Sequence, residues 1–172
     1  MTTQHAVYPD LEGKTVLISG GASGIGEFMV RAFAAQGAKV GFVDRAQSQG
    51  ERLAALLSLR GHTVEFVNCD ITDEIAYKAA ITRFEHSLGP ITVLVNNAAN
   101  DVRHTLEEVD SEMFDRLISV NLKHAFFAAK AVVPMMKSAG GGAIINLGSV
   151  GWMMASAGYP VYAASKAAAH GM

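Results

Sequence analysis

Near its end the sequence reads VYAASK, Val161 to Lys166, a phenol and an ammonium four residues apart in an alanine-rich run that favours helix. Residues i and i+4 share a helical face and can reach one ligand. A phenol with its ordinary pKa of about 10 is a poor base at neutral pH, and a cation beside it favours the phenolate. Tyr162 and Lys166 are therefore a candidate acid/base pair. The same spacing also fits a packed ring beside a solvated charge, so its meaning depends on what the fold brings to it. Upstream stand Ser149, Asn121 and Asn96-Asn97. They could hydrogen-bond a reacting oxygen, hold a water or meet a ligand at a strand end. Alone, each equally fits an ordinary loop, helix or turn.

The elements that must position these residues alternate in type. TVLIS (Thr15–Ser19) is a short β-branched apolar run and reads as a buried strand stopped by Gly20-Gly21. Gly24 to Gln36 places Ile25, Phe28, Met29, Ala32 and Phe33 at helical spacing, with Gly37 as its stop. KVGFVD (Lys39–Asp44), VEFVN (Val64–Asn68), ITVLVNN (Ile91–Asn97) and AIINL (Ala143–Leu147) read as further strands. Between them Gln47–Arg60, Asp73–Leu88 and Ser111–Ser138 read as helices, the last bent near its end by Pro134. A final helix begins at Tyr159, with Pro160 tolerable in its first turn. Buried strands alternating with helices predict an α/β fold, a doubly wound, Rossmann-like parallel sheet in three layers. Ligands of such sheets bind beyond the carboxyl ends of the strands.

SGGASGIG (Ser19–Gly26) sits at such an end, after the first strand and opening the first helix. Glycines at 20, 24 and 26 let the backbone turn tightly and approach a pyrophosphate, while the helix N-terminus offers N–H groups and a positive dipole end. Ser19, Gly20, Ser23, Gly24, Ile25 and Gly26 are the candidate contacts. The spacing is G-x-x-x-G-x-G rather than G-x-G-x-x-G. Asp44 closes the second strand 18 residues beyond Gly26. A carboxylate there can accept bonds from an adenosine ribose and repel a 2′-phosphate, favouring NAD over NADP. Arg45 follows and could hold a phosphate, and Asp44 could instead cap the next helix. Residues 1–172 are thus expected to form a single dinucleotide-binding catalytic domain.

Half the residues are hydrophobic and 17% charged, and the net charge is -2, leaving no basic excess to draw nucleic acid or an anionic membrane. No apolar run reaches the 18 or so residues of a membrane span. Cys69 is the lone cysteine, so no internal disulfide can form and a reducing compartment is expected. MTTQHAVYPDLEGK lacks the basic and apolar regions of a secretory leader, which makes the cytoplasm the expected location. No close His/Cys/Asp group has metal-ligand spacing.

The glycine turn Ser19–Gly26, NNAA at Asn96–Ala99, Asn121, Ser149 and Tyr162-x-x-x-Lys166, in that order, resemble the short-chain dehydrogenase/reductase family. The likeness runs from about Lys14 to the end. It implies that Tyr162 is the catalytic acid/base and that Lys166 supports it and holds the nicotinamide ribose. It further implies that Ser149 hydrogen-bonds the reacting oxygen and that Asn121 holds a water linking Lys166 to solvent. Asn97 and Ala98 would meet the cofactor. Asp70, in CDIT after the third strand, resembles the family's aspartate near the adenine, with Ile71 packed nearby; a helix N-cap is its other reading. Departures are small: Ser19 stands for a threonine, Ala99 for a glycine and Gly148 for a common serine.

NAANDVRH (Asn97–His104) and GSVGW (Gly148–Trp152) resemble members that oxidise xylose, arabinose or galactose at the anomeric carbon. Asn100, Asp101, Arg103, His104, Ser149 and Trp152 would then meet the sugar, since sugar sites need many hydrogen bonds and an apolar floor. A polar surface loop and a packing Trp remain the alternative, and Met153, Met154 and Tyr159 could instead line a site for an apolar ketone or alcohol. His124 is expected at the surface or an interface, and Cys69 buried and inert. Family members continue with two more strands and, between them, a loop and helices that close over the substrate. The chain is therefore expected to be part of a longer enzyme, a homotetramer when whole. A fragment that binds cofactor without turnover is the alternative.

Overall fold

The computed structural model describes residues 6–154 and 157–172; the first five residues of the stretch read above for a leader lie outside them. Five strands form one parallel sheet: β1 (Thr15–Ser19), β2 (Lys39–Asp44), β3 (Val64–Asn68), β4 (Ile91–Asn96) and β5 (Ala143–Asn146), in the order β3-β2-β1-β4-β5. The crossovers are α1 (Gly24–Ala35), α2 (Gln47–Ser58), α3 (Glu74–Leu88), and α4 (Ser111–Ile118) continuing through a turn into α5 (His124–Ser138); α6 (Pro160–Ala169) follows β5. The strand order reverses between β1 and β4, and that switch point opens a crevice at their carboxyl ends.

Alternate residues of a strand face opposite sides, and β1 serves both helical layers. Val16 and Ile18 pack with Val40, Phe42, Val30 and Leu53 under α1 and α2. Leu17 packs with Phe84, Leu94, Ala128 and Val132 under α3 and α5. Phe42 and Phe84 are fully buried, each worth about 1.5–3 kcal/mol of transfer free energy.

Three expectations are corrected. The apolar spacing of α1 marks its buried face only in part: Met29 and Phe33 pack against the core, but Ile25 and Phe28 are exposed, and the fully buried residues are Gly26, Val30 and Ala34. Close approach selects small residues there, because a Cβ on Gly26 would lie 1.8 Å from the Gly20 carbonyl oxygen. The Ser111–Ser138 stretch is not one regular helix, since Ser119–Lys123 forms a π turn between α4 and α5; α5 then runs through Pro134 to Ser138. β5 is half-exposed rather than buried. Among the described residues it pairs only with β4, and Ile144 and Ile145 are 38% and 42% exposed. No described helix is long and apolar enough to cross a membrane.

Candidate active site

The glycine turn leaves β1 at φ +70° on Gly20 and enters α1 at φ +54° on Gly24, a left-handed conformation that only glycine adopts without strain. Asn97, just past β4, props it from below. Its side-chain amide donates to the carbonyls of Ser19 and Gly20, both at 2.9 Å. The Ser19 hydroxyl accepts the backbone N–H groups of Asn97 and Ala98, each at 3.1 Å. The turn and the β4 end are thereby fastened across the switch point. Above them is a cleft of about 700 Å³ lined by Gly20, Ser23, Gly24, Ile25, Gly26, Asp44, Asp70, Ile71, Asn97, Ala98, Asn100 and Asp101 among others. Every cofactor residue expected before β5 except Ser19 lines it, and Ser19 lies directly beneath.

Asp44 does not cap α2, whose N-cap is Ala46. Its carboxylate accepts from the Ala22 N–H of the glycine turn at 3.0 Å and from the Ala46 N–H at 2.9 Å. Nor is Asp70 the N-cap of α3, which is Asp73. Asp70 accepts both the N–H and the hydroxyl of Thr72 and faces the Arg45 guanidinium at 3.6 Å. Its carboxyl pKa is lowered by these hydrogen bonds and by Arg45, against the opposing effect of burial. The cleft therefore has a glycine cradle at one end of β1 and two carboxylates beside it, N–H donors and carboxylate acceptors that fit the diphosphate and ribose hydroxyls of a dinucleotide.

α6 carries the candidate acid/base pair Tyr162 and Lys166. Lys166 is 4% exposed and donates to the Leu147 carbonyl at 2.7 Å, and burial lowers its pKa. Its Nζ stands 5.7 Å from the centre of the Tyr162 ring. Ser149 begins a 3-10 turn, where its hydroxyl accepts the Gly151 N–H at 3.1 Å. Ser149, Trp152 and Lys166 line one recess of about 640 Å³, together with Met153 and His170. Asn121 lies buried in the π turn. Its side chain accepts the Asn100 N–H at 2.8 Å and donates to the Asn100 carbonyl at 2.9 Å. Both ends of that amide are committed to the loop after β4.

The expected sugar residues divide. Asn100 and Asp101 line the dinucleotide cleft, while Trp152 and Ser149 line the recess. His104 is corrected: it is 5% exposed and both ring nitrogens are engaged within the protein, with Val102 O and Val161 N. Arg103 lies over the Tyr159 ring at 4.2 Å.

His124 is likewise not at the surface. It is 3% exposed, and neither ring nitrogen has a hydrogen-bond partner among the described residues. Burial and the nearby Lys166 charge push its pKa down to about 4. Its ring lies 6.5 Å from that of Tyr77, a fully buried tyrosine whose pKa is raised by burial. Leu117, Asn121, His124, Ala125 and Ala128 stand at i, i+4, i+7, i+8 and i+11, one helical face, and all are buried. Cys69 is buried, and burial raises its thiol to about 11.

The family model described as short chain dehydrogenase matches residues 14–172. "Probable galactose dehydrogenase GalD" of Rhizobium meliloti is 40% identical over all of this chain and 68% of its own length. D-xylose 1-dehydrogenase of Caulobacter vibrioides is 42% identical over 97% of this chain and 66% of its own. Among solved structures, a blue fluorescent protein from a metagenomic library in complex with NADPH superposes with a TM-score of 0.86 at 34% identity, over 94% of this chain and 66% of that one. The chain thus spans about two thirds of the length of the curated relatives it matches.

Proposed function

The chain belongs to the short-chain dehydrogenase family, and from that premise we propose that it is an NAD-dependent dehydrogenase that oxidises an aldose at its anomeric carbon. The observation that carries this reading is the buried Lys166 ammonium, tied to Leu147 one helical turn from Tyr162 and lining one recess with Ser149. Bound in the cleft, NAD supplies the hydride acceptor.

This chain's residues supply the rest. The Gly20–Gly26 turn and the first amides of α1 receive the diphosphate, Asp44 the adenosine ribose, and Asp70 and Ile71 flank the adenine. Lys166 holds the second ribose with Tyr162. Ser149 donates to the reacting oxygen, Tyr162 takes the hydroxyl proton, and that proton leaves past Lys166 through a water on the Asn121 carbonyl. NAD is favoured over NADP because Asp44 stands in the cleft and Arg45 faces Asp70 at 3.6 Å. An aldose is favoured by the xylose and galactose dehydrogenases among the relatives, by the polar Asn100 and Asp101 lining the cleft and by the indole of Trp152 lining the recess. A second reading, an apolar alcohol or ketone, draws on Met153 and Met154, 64% and 72% exposed beside the recess. It also draws on a 3-alpha-(or 20-beta)-hydroxysteroid dehydrogenase of Mycobacterium tuberculosis that is 37% identical. A cytoplasmic homotetramer fits the free Cys69 and the exposed Phe114 and Phe126 on α4 and α5.

The test is NAD reduction, followed by the near-ultraviolet absorbance of NADH, with pentoses, hexoses and secondary alcohols. Turnover confined to aldoses is expected. Turnover confined to apolar alcohols favours the second reading. NAD binding without turnover on any substrate means that these residues form the cofactor half of a larger site.

A further inference from the structure

We propose that His104 is a positioning residue that clamps the start of the catalytic helix and so sets where Tyr162 stands. The role given to Tyr162 rests on the dehydrogenase reading; the clamp itself does not. The first N–H groups of an α-helix have no partner within the helix. α6 begins at Pro160, and its N-cap Tyr159 makes no side-chain cap bond. The Val161 N–H finds its acceptor 57 residues away in sequence, at Nε2 of His104, over a long 3.4 Å. Nδ1 of the same ring donates to the Val102 carbonyl at 2.8 Å, and the His104 backbone N–H donates to the Gly158 carbonyl at 3.0 Å. An imidazole that accepts on one nitrogen and donates from the other is neutral with one fixed tautomer. Two hydrogen bonds from one buried residue therefore join the loop after β4 to the segment that enters α6, and a third, to Val102, fixes the ring within its own loop.

Arg103 acts next to it. Its guanidinium lies 4.2 Å from the centre of the Tyr159 ring, and that ring stands edge-on to Tyr162, 5.3 Å between centres and 87° between planes. Glycine keeps the stack in place from behind, since a Cβ on Gly151 would come 2.8 Å from the Tyr159 hydroxyl. The order Arg103, Tyr159, Tyr162 is a continuous set of ring and cation contacts ending on the acid/base group. Of the two residues that resemble sugar contacts in sequence, His104 is turned inward while Arg103 stays exposed over the Tyr159 ring, and both brace the segment that leads to Tyr162.

The test uses the 172-residue chain and three forms of it: wild type, His104→Gln, whose amide carries one donor and one acceptor as the neutral ring does, and His104→Met, which fills the site with neither. Amide exchange at Val161 is followed by NMR, and NADH binding by fluorescence. In the wild type the Val161 amide is expected to exchange at least about tenfold slower than an unbonded one. His104→Met loses that protection and, by loosening the helix that also carries the ribose-holding Lys166, binds NADH about tenfold more weakly; His104→Gln recovers most of both. Equal protection and affinity in the Met and Gln forms overturns the proposal. Free exchange of Val161 in the wild type overturns it even if a variant does not fold. Wild type that protects Val161 but binds no NADH defeats the dehydrogenase reading and leaves the clamp standing.

Discussion

Lys166 and Leu147 are joined by a 2.7 Å hydrogen bond from an ammonium to a backbone carbonyl. It links the helix that carries Tyr162 to the end of β5, two residues before Ser149. One buried cation thus braces α6 and, on the proposed function, also serves the cofactor and Tyr162. Lys166→Met is expected to weaken NADH binding and abolish turnover together. Tyr162→Phe, which leaves that bond intact, should cut turnover by about 10³-fold or more with NADH affinity within about threefold. Steady-state rates on the active substrate, set beside fluorescence titrations, separate the two. Unchanged turnover in Tyr162→Phe would remove it as the acid/base.

Asp44 is held by the Ala22 and Ala46 amides with its carboxylate lining the cleft. Removing the charge in Asp44→Ala should narrow the ratio of NADP to NAD dissociation constants at least about tenfold, mostly through tighter NADP binding. Calorimetry with each dinucleotide measures it. An unaltered ratio would show that the ribose is not bound at this carboxylate.

His124 gives the fold a pH dependence. Its pKa is held near 4 in the folded chain by burial and by Lys166, whereas the unfolded chain protonates it near the ordinary 6.5. Between those values the unfolded state binds the extra proton. Stability is therefore undisturbed by this group above about pH 6.5 and falls as pH drops toward 4, by about 3 kcal/mol in full. His124→Leu should flatten that slope. Urea midpoints at neutral and acid pH compare the two, and parallel curves would mean that the imidazole is charged or hydrated when folded.

The glycines of the turn are not equivalent. A Cβ on Gly26 would meet the Gly20 carbonyl oxygen at 1.8 Å, whereas one on Gly24 would meet nothing within 4 Å. Gly26→Ala should cost about 2–3 kcal/mol and lose NADH binding. Gly24→Ala should cost only the strain of its φ of +54°, about 1 kcal/mol. Thermal melts rank them, and equal losses would mean that the turn relaxes around either methyl.

The elements were readable because glycine and proline punctuate them: β1 to β3 begin and end where the apolar runs do, and the helices fall within two residues of their expected ends. The catalytic helix and the glycine turn were legible for the same reason, each being a local pattern on one element. What escaped is non-local. A π turn leaves no mark in apolar spacing, and a lone histidine reads as a surface residue although His124 shares the buried face of Leu117, Asn121 and Ala128. His104 sits in a polar loop whose sequence, NDVRH, looks solvated, and only the fold brings Val161 to its ring. Ile25 and Phe28 look like a core stripe, but the close approach of Gly26 to Gly20 turns that stripe outward.

The π turn at Ser119–Lys123 is in effect a one-residue insertion that the helix never healed. Deleting Leu122 would let the hydrogen bonds close in ordinary α register and yield a more regular helix. The deletion would also turn Asn121, inside the π turn, relative to His124 just beyond it and draw its amide away from the Asn100 backbone that it holds. Regularity and function are therefore opposed at this one turn, and a sequence optimised only for helix quality would erase the site.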